Sequence, residues 1–470
     1  MRDQKYLTML DPLQEVYGSV IMVFIYLATL CGDLFWTASI LSALGTSLRV
    51  IVNLDLNVAI VTSSTVTIFY TMIGQMIAVA YTDILQLAFM TGGLILCVPF
   101  VLTNEKIADI GTTKDVWIGQ FDKQALSQWL DLFIAMIFGT IPWQSYFQRV
   151  LSVRSGREAQ LLSIVGGCSA LVLVIPSILI GAAGVSADWS NTSIGMSPID
   201  NNEGSSILPY SLVLLYFVNM YITGLGAICA AVMSSMDSSI LGSSSMFTNN
   251  IYKQLIRPQA SDRELLWIQR FAVLCVGVMA TVISIFVPVI YGIFILAADI
   301  VFVIVLPQLF CSVFLKWTNS YGAALGYLMG VILRIGAGEP YLYLEPFIRF
   351  PYYDVKTGQN FPFRTFAMVT SVCCIVLFSL FTNWIISYHP FFSAYNLSHE
   401  MNVITDSGNN SHIDTRIRTI SENSIEESFN YIFPENHHTE FRNCSKNNKN
   451  IDSSKDDVSV PQAKDFLLQS

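Results

Sequence analysis

Apolar residues in this chain fall in long blocks, not in alternation. Ten blocks reach about 20 residues, the length a hydrocarbon layer of about 30 Å asks of a helix. They run approximately over 19–43, 55–77, 82–102, 128–148, 160–183, 219–246, 266–287, 290–314, 320–338 and 364–387. The pattern predicts an all-α polytopic membrane protein with about ten crossing helices. A shorter apolar piece, 207–217, follows a polar loop and reads as an outer helix lying against the body. Residues 1–18 hold no apolar block and lack the basic start and apolar centre of a signal peptide, so they read as a cytoplasmic N-terminal segment. Beyond the body, 19–388, the stretch 389–470 is rich in Ser, Asn, Asp and Glu. It buries too little apolar surface to fold alone and reads as a disordered cytoplasmic tail.

Composition sharpens this reading. Hydrophobic residues are 53% of the 470 and charged residues 13%, about half the charge of an average soluble domain. That excludes a soluble enzyme and a disordered scaffold. Of the net charge of −9, the tail carries −5 and the body only −4, so no basic face invites nucleic acid. Loop charge orients the body. Arg149, Arg154, Arg157, Lys253, Arg257, Arg263 and Lys316 follow alternate spans, which places those loops and both termini in the cytoplasm. The opposite set includes Asn191-Thr192-Ser193, a glycosylation acceptor at Asn191. All five histidines stand at or beyond His389, so no imidazole is available within the spans for catalysis, metal ligation or proton relay, which argues against a membrane enzyme. Eight of nine cysteines lie in apolar stretches without zinc-ligand spacing and read as small buried hydrophobes.

Polar groups inside spans are costly and face a cavity or a partner helix. Four places stand out. In the first span Asp33 and Trp36 are three apart, on one helical face. In the fourth, Pro142 predicts a kink that frees backbone carbonyls, followed by Trp143, Tyr146 and Phe147. Tyr146 and Phe147 read equally as an interfacial belt, whereas Trp143 reads as deeper. The sixth span carries Ala230-Ala231-Val232-Met233-Ser234-Ser235-Met236-Asp237-Ser238-Ser239. Small and hydroxyl residues permit close helix packing, but Asp237 among serines also supplies the hard oxygens that suit an alkali cation. The eighth span holds Asp299 shortly after Tyr291-Gly292-Ile293-Phe294. Together these describe a secondary transporter with an ion-coupled site at mid-depth.

Tyr70-Thr71-Met72-Ile73-Gly74-Gln75-Met76, followed by Ala80-Tyr81-Thr82-Asp83-Ile84-Leu85-Gln86, resembles the signature of the sodium/solute symporter family. That signature has a Gly-Gly pair in a short turn, and here the second glycine is Gln75. Leu7-Thr8-Met9-Leu10-Asp11-Pro12, Ile141-Pro142-Trp143-Gln144 and Gly338-Glu339-Pro340-Tyr341 are similar to the choline-carrying members of the family. The resemblance implies an inverted-repeat (LeuT-like) sodium symporter fold, incomplete at the N-terminus. Family members begin with three further spans before the position of Met1, including a broken helix that supplies half the sodium and substrate site. The chain as written is therefore expected to be an N-terminally truncated piece without coupled uptake of its own.

The resemblance further implies high-affinity choline uptake with sodium, and by family also chloride, as coupling ions and no other cofactor. Sodium would sit on Ala231, Ser234 and Ser235, and choline's ammonium in an aromatic cage of Trp36, Trp143 and Phe294, where Phe294 replaces a family tryptophan. The implied setting is a multi-pass plasma-membrane protein of presynaptic terminals and synaptic vesicles, supplying acetylcholine synthesis. Lipids are its surroundings, and a homo-oligomer and trafficking proteins on the tail stay open as partners. The alternatives are a sodium symporter for another small solute and a non-transporting short form that modulates the full-length transporter.

Overall fold

The computed structural model describes residues 1–388 apart from 120–124, 191, 193, 194, 201, 202, 214–217, 288, 356 and 357. The predicted tail and the acceptor Asn191 lie outside the described residues. Among the described residues the chain is helical, with only isolated β-bridges. Residues Met1–Thr382 make one unit, and among the described residues eight helical segments are long and apolar enough to cross a membrane.

Helix α1 is Asp11–Val52 and α2 is Leu56–Leu102. Helix α3 is Leu126–Gly139, α4 Gln144–Ser152, α5 Gly156–Val185, and the short α6 Ile207–Val213. Helix α7 is Val218–Met246, continued by a π-helical segment Phe247–Ile256. Helix α8 is Asp262–Phe286; α9 is Ile290–Ile300, joined through a π-helical Val301–Val305 to α10, Leu306–Phe314. Helices α11, Ser320–Gly336, and α12, Phe363–Tyr388, complete the set.

The sequence blocks map onto these helices with two instructive differences. Blocks 55–77 and 82–102 are the two arms of α2, about 29 and 40 Å long at 1.5 Å per residue, each enough to cross a hydrocarbon layer. The arms part at Gln75, whose φ of 52° and ψ of −160° leave helical space. This is the family's second glycine position, and Gln75 takes a left-handed backbone that a glycine adopts without strain. Block 128–148 is two helices, because the ladder stops at Gly139 and resumes at Gln144 around Pro142.

Helix starts are set by polar caps. Asp55 accepts the N–H groups of Asn57 and Val58. Ser155 and Glu158 form a reciprocal capping box before α5, Ser155 taking the Glu158 N–H and Glu158 taking the Arg154 N–H. Ser261 takes the Glu264 N–H before α8, while the Glu264 carboxylate accepts from Tyr252 and Arg257.

One expectation is corrected here, and the N-terminal segment proves to be packed. The N-terminal segment lacks an apolar block, yet Met9, Leu10, Leu13 and Tyr17 are buried in the main core; helix α1 begins at Asp11 and bends at Gly18, φ 76°. The cysteines are not uniformly buried: Cys97 and Cys311 are, whereas Cys31, Cys168 and Cys373 face outward. In a lipid-facing helix an outward apolar side chain is already out of water, so burial in protein is not required of it.

Candidate functional site

The aromatic residues singled out in the sequence come together from three separate elements. Trp36 of α1 lies with its ring centroid 5.3 Å from that of Trp143, in an edge-to-face arrangement, and 5.0 Å from that of Phe294 of α9. Tyr291 extends the group at 6.5 Å from Phe294. Trp143 reaches this position because it stands in extended backbone (φ −110°, ψ 122°) between α3 and α4. A continuous helix would point it elsewhere. Gly139, where α3 ends, lets that helix approach α9 closely: a Cβ there would lie 2.7 Å from the Ala298 carbonyl oxygen. Tyr146 and Phe147 take no part. Tyr146 is exposed and hydrogen-bonded to Ser163 at 2.7 Å, and Phe147 is buried in the core. Trp129 is also apart, 53% exposed and stacked on Phe133.

Asp33 and Trp36 share a helix but not a partner. Asp33 is buried and accepts from Ser243 of α7, while Thr37 bonds Ser239 at 2.8 Å. Two residues spaced by four on α1 thus meet two spaced by four on α7. Trp36 turns away, toward Trp143 and Phe294.

On α7 the implied ion residues diverge. Ser234 donates to Asp83 Oδ1 of α2 at 2.5 Å and is half-buried, whereas Ser235 is exposed and donates back to the Ala231 carbonyl at 3.1 Å. Asp237 is fully buried and faces α2, where Tyr70 donates to it at 2.6 Å and Thr71 at 2.9 Å. Asp83 is bonded on its other oxygen by Arg149 of α4 at 2.7 Å, and Arg149 also donates to Ser238 at 2.5 Å. The oxygens of Asp83, Ser234, Ser238, Asp237, Tyr70 and Thr71 form a polar seam between α2 and α7, with chemistry suited to a hard cation.

Asp299 belongs to another group. It is ion-paired with Arg334 of α11 at 3.1 Å and with Arg364 of α12 at 2.7 Å. Arg334 also binds Glu339 at 2.6 Å, and Arg364 pairs with Asp131 of α3 at 3.7 Å. Asp131 additionally caps α12, taking the N–H groups of Arg364 and Thr365 at 3.1 and 2.8 Å. A cavity of about 770 Å³ opens beside this cluster, lined in part by Trp129, Glu339, Tyr341, Phe363 and Arg364.

Sequence reasoning named Asp299 but missed its partners. The available signal was that Arg334 and Arg364 stand at the ends of apolar blocks, where a cation needs an anion. It also missed Arg149 as a contact of the serine-rich helix, because nothing in linear spacing joins residues 89 apart.

The model of the sodium:solute symporter family matches residues 1–330. The high affinity choline transporter 1 of Homo sapiens is 45% identical over 384 residues, 79% of this chain and 66% of that protein. The corresponding Drosophila melanogaster protein is 42% identical over 387 residues, 81% of this chain and 63% of its own length. The chain thus spans about two thirds of the length of these curated relatives. The sodium/proline symporter of Haemophilus influenzae is 33% identical over 230 residues, 46% of this chain and 44% of that protein. Among solved structures, a Na+-coupled sialic acid symporter in a substrate-bound outward-open state superposes with a TM-score of 0.61 at 18% identity, over 81% of this chain and 78% of that one. That likeness is one of fold.

Proposed function

This chain belongs to the sodium:solute symporter family, and we propose that it serves sodium-coupled, high-affinity uptake of choline across the plasma membrane. The observation that carries the reading is the meeting of Trp36, Trp143 and Phe294 from three elements. A quaternary ammonium donates no strong hydrogen bond, so π faces are the groups that recognise it without a competing desolvation cost. Trp36 and Trp143 supply the strongest such faces and Phe294 a weaker one. Ala231, Ser234 and Ser235 on α7 would hold sodium through carbonyl and hydroxyl oxygens, chemistry that requires no imidazole or thiolate.

Chloride dependence, a presynaptic and vesicular location, supply of acetylcholine synthesis, glycosylation at Asn191, a homo-oligomer and tail-bound trafficking partners complete the proposal; they rest on the choline-carrying relatives and the sequon.

The test is binding of radiolabelled choline, in sodium and in potassium, to this chain preceded in membranes by the three further spans that the resemblance implies. Sodium is expected to raise binding. A desolvated tryptophan–cation contact contributes about 2 kcal/mol, so Trp143→Ala should weaken binding roughly 30-fold. Trp129→Ala should change it less than about twofold, since that ring already stacks on Phe133 at the surface. Equal losses for the two tryptophans would remove the cage.

A further inference from the structure

Trp36 touches both other rings of the cage, its centroid lying 5.3 Å from that of Trp143 and 5.0 Å from that of Phe294. An ammonium seated between Trp36 and Trp143, within about 6 Å of both centroids, enters only if one of those two rings moves aside. Two walls are fixed from outside the cage. Trp36 lies between Asp33 and Thr37, which are bonded to Ser243 and Ser239 of α7. Phe294 lies on α9 between Gly292, against which the Tyr341 ring packs, and Asp299, which two arginines hold. Trp143 differs, because the helical ladder is interrupted on both sides of Pro142 and the residue itself is extended. The movable wall is Trp143 with the helix that follows it, α4.

What restrains α4 is a short relay of polar contacts ending on the serine helix. Arg149, in the last turn of α4, pairs with Asp83 at 2.7 Å and donates to Ser238 at 2.5 Å, while Ser145 donates to the Ser238 carbonyl at 3.1 Å. The second oxygen of Asp83 takes the Ser234 hydroxyl at 2.5 Å. We propose that Arg149 is the positioning residue that couples the cage to the ion site: a sodium ion on the Ser234 oxygen draws Asp83 toward itself and repels the guanidinium, loosening α4 so that Trp143 can swing away from Trp36 and admit the substrate. This rests on the sodium-coupled reading above. Because coupling is reciprocal, substrate held behind Trp143 tightens sodium by the same factor.

Amide hydrogen exchange across α4 in the full chain, in sodium or potassium at matched ionic strength and without choline, tests the relay directly. In the wild type, sodium is expected to speed α4 exchange about fivefold or more, the lower end of measured coupling factors. Arg149→Lys should keep part of that response, whereas Arg149→Gln should exchange fast in both ions. Asp83→Asn breaks the relay from its other end, and it decides the matter if Arg149→Gln does not fold. Equal α4 exchange in sodium and potassium for the wild type would overturn the proposal, as would a full sodium response in Arg149→Gln or Asp83→Asn. Choline binding, read in the same samples, judges the substrate separately: an intact sodium response with no choline binding removes choline and leaves the relay standing.

Discussion

Replacing Arg364 with methionine isolates the buried charge cluster from the rest of the fold. Asp131, Asp299, Glu339 and Arg334 are 1%, 0%, 6% and 4% exposed, and Arg364 joins two of the three carboxylates. With all five groups ionised the cluster carries three negative and two positive charges, and the substitution leaves Arg334 alone against Asp299 and Glu339. Asp131 retains its two backbone N–H donors, so the uncompensated charge falls on Asp299, whose Oδ1 already lacks a hydrogen-bond partner. Removing one partner of a buried pair costs about 3–5 kcal/mol. In a chain of this size, with an unfolding entropy of about 1 kcal/mol/K, that corresponds to a fall in Tm of roughly 3–6 °C, readable by thermal unfolding in detergent.

The double variant Arg364→Met with Asp299→Leu is the sharper measurement. It leaves Arg334 paired one-to-one with Glu339 at 2.6 Å, and should therefore be more stable than Arg364→Met alone. A single variant within about 1 °C of wild type, against the roughly 3–6 °C expected, would refute the charge accounting. So would a double variant less stable than the single.

Two further outcomes follow from backbone geometry. Gln75→Gly relieves a left-handed strain of about 1–3 kcal/mol, less the chain entropy a glycine adds, and should raise Tm by a few degrees; a lower Tm would mean that the Gln75 bond to the Met72 carbonyl outweighs the strain. Among helical glycines, Gly322→Ala should lower stability by about 1–3 kcal/mol because its Cβ would sit 2.1 Å from Ser379 Oγ and 2.5 Å from the Ile375 carbonyl oxygen. Gly166→Ala, with nothing within 4 Å, should raise it by up to about 1 kcal/mol. Thermal scans of the pair check the opposite signs.

Much of the site was legible along the chain because intramembrane polar and aromatic residues are few and each needs a reason. Trp36 stood out beside Asp33 and Trp143 beside the Pro142 break, the family resemblance added Phe294, and the other two rings both meet Trp36. Asp33, Asp237 and Asp299 looked alike in sequence, as lone carboxylates in apolar helices. They are three different things: a serine-bonded link to α7, an acceptor for Tyr70 and Thr71, and the hub of an arginine cluster. Periodicity says which side of a helix a carboxylate occupies, but not which helix faces that side.

Block length and charge content alone determined that this is a helical membrane body and how many apolar segments it holds. Those properties depend on the cost of each segment with lipid or water, and that cost is local. Tertiary structure decided the rest. It set the break between two blocks at Gln75, cut another block at Pro142 so that Trp143 faces Trp36, and gave Asp299 two arginines while leaving Asp83 to join Arg149 with Ser234. Each of those contacts joins residues distant in the chain, so its energy depends on a neighbour that only packing supplies.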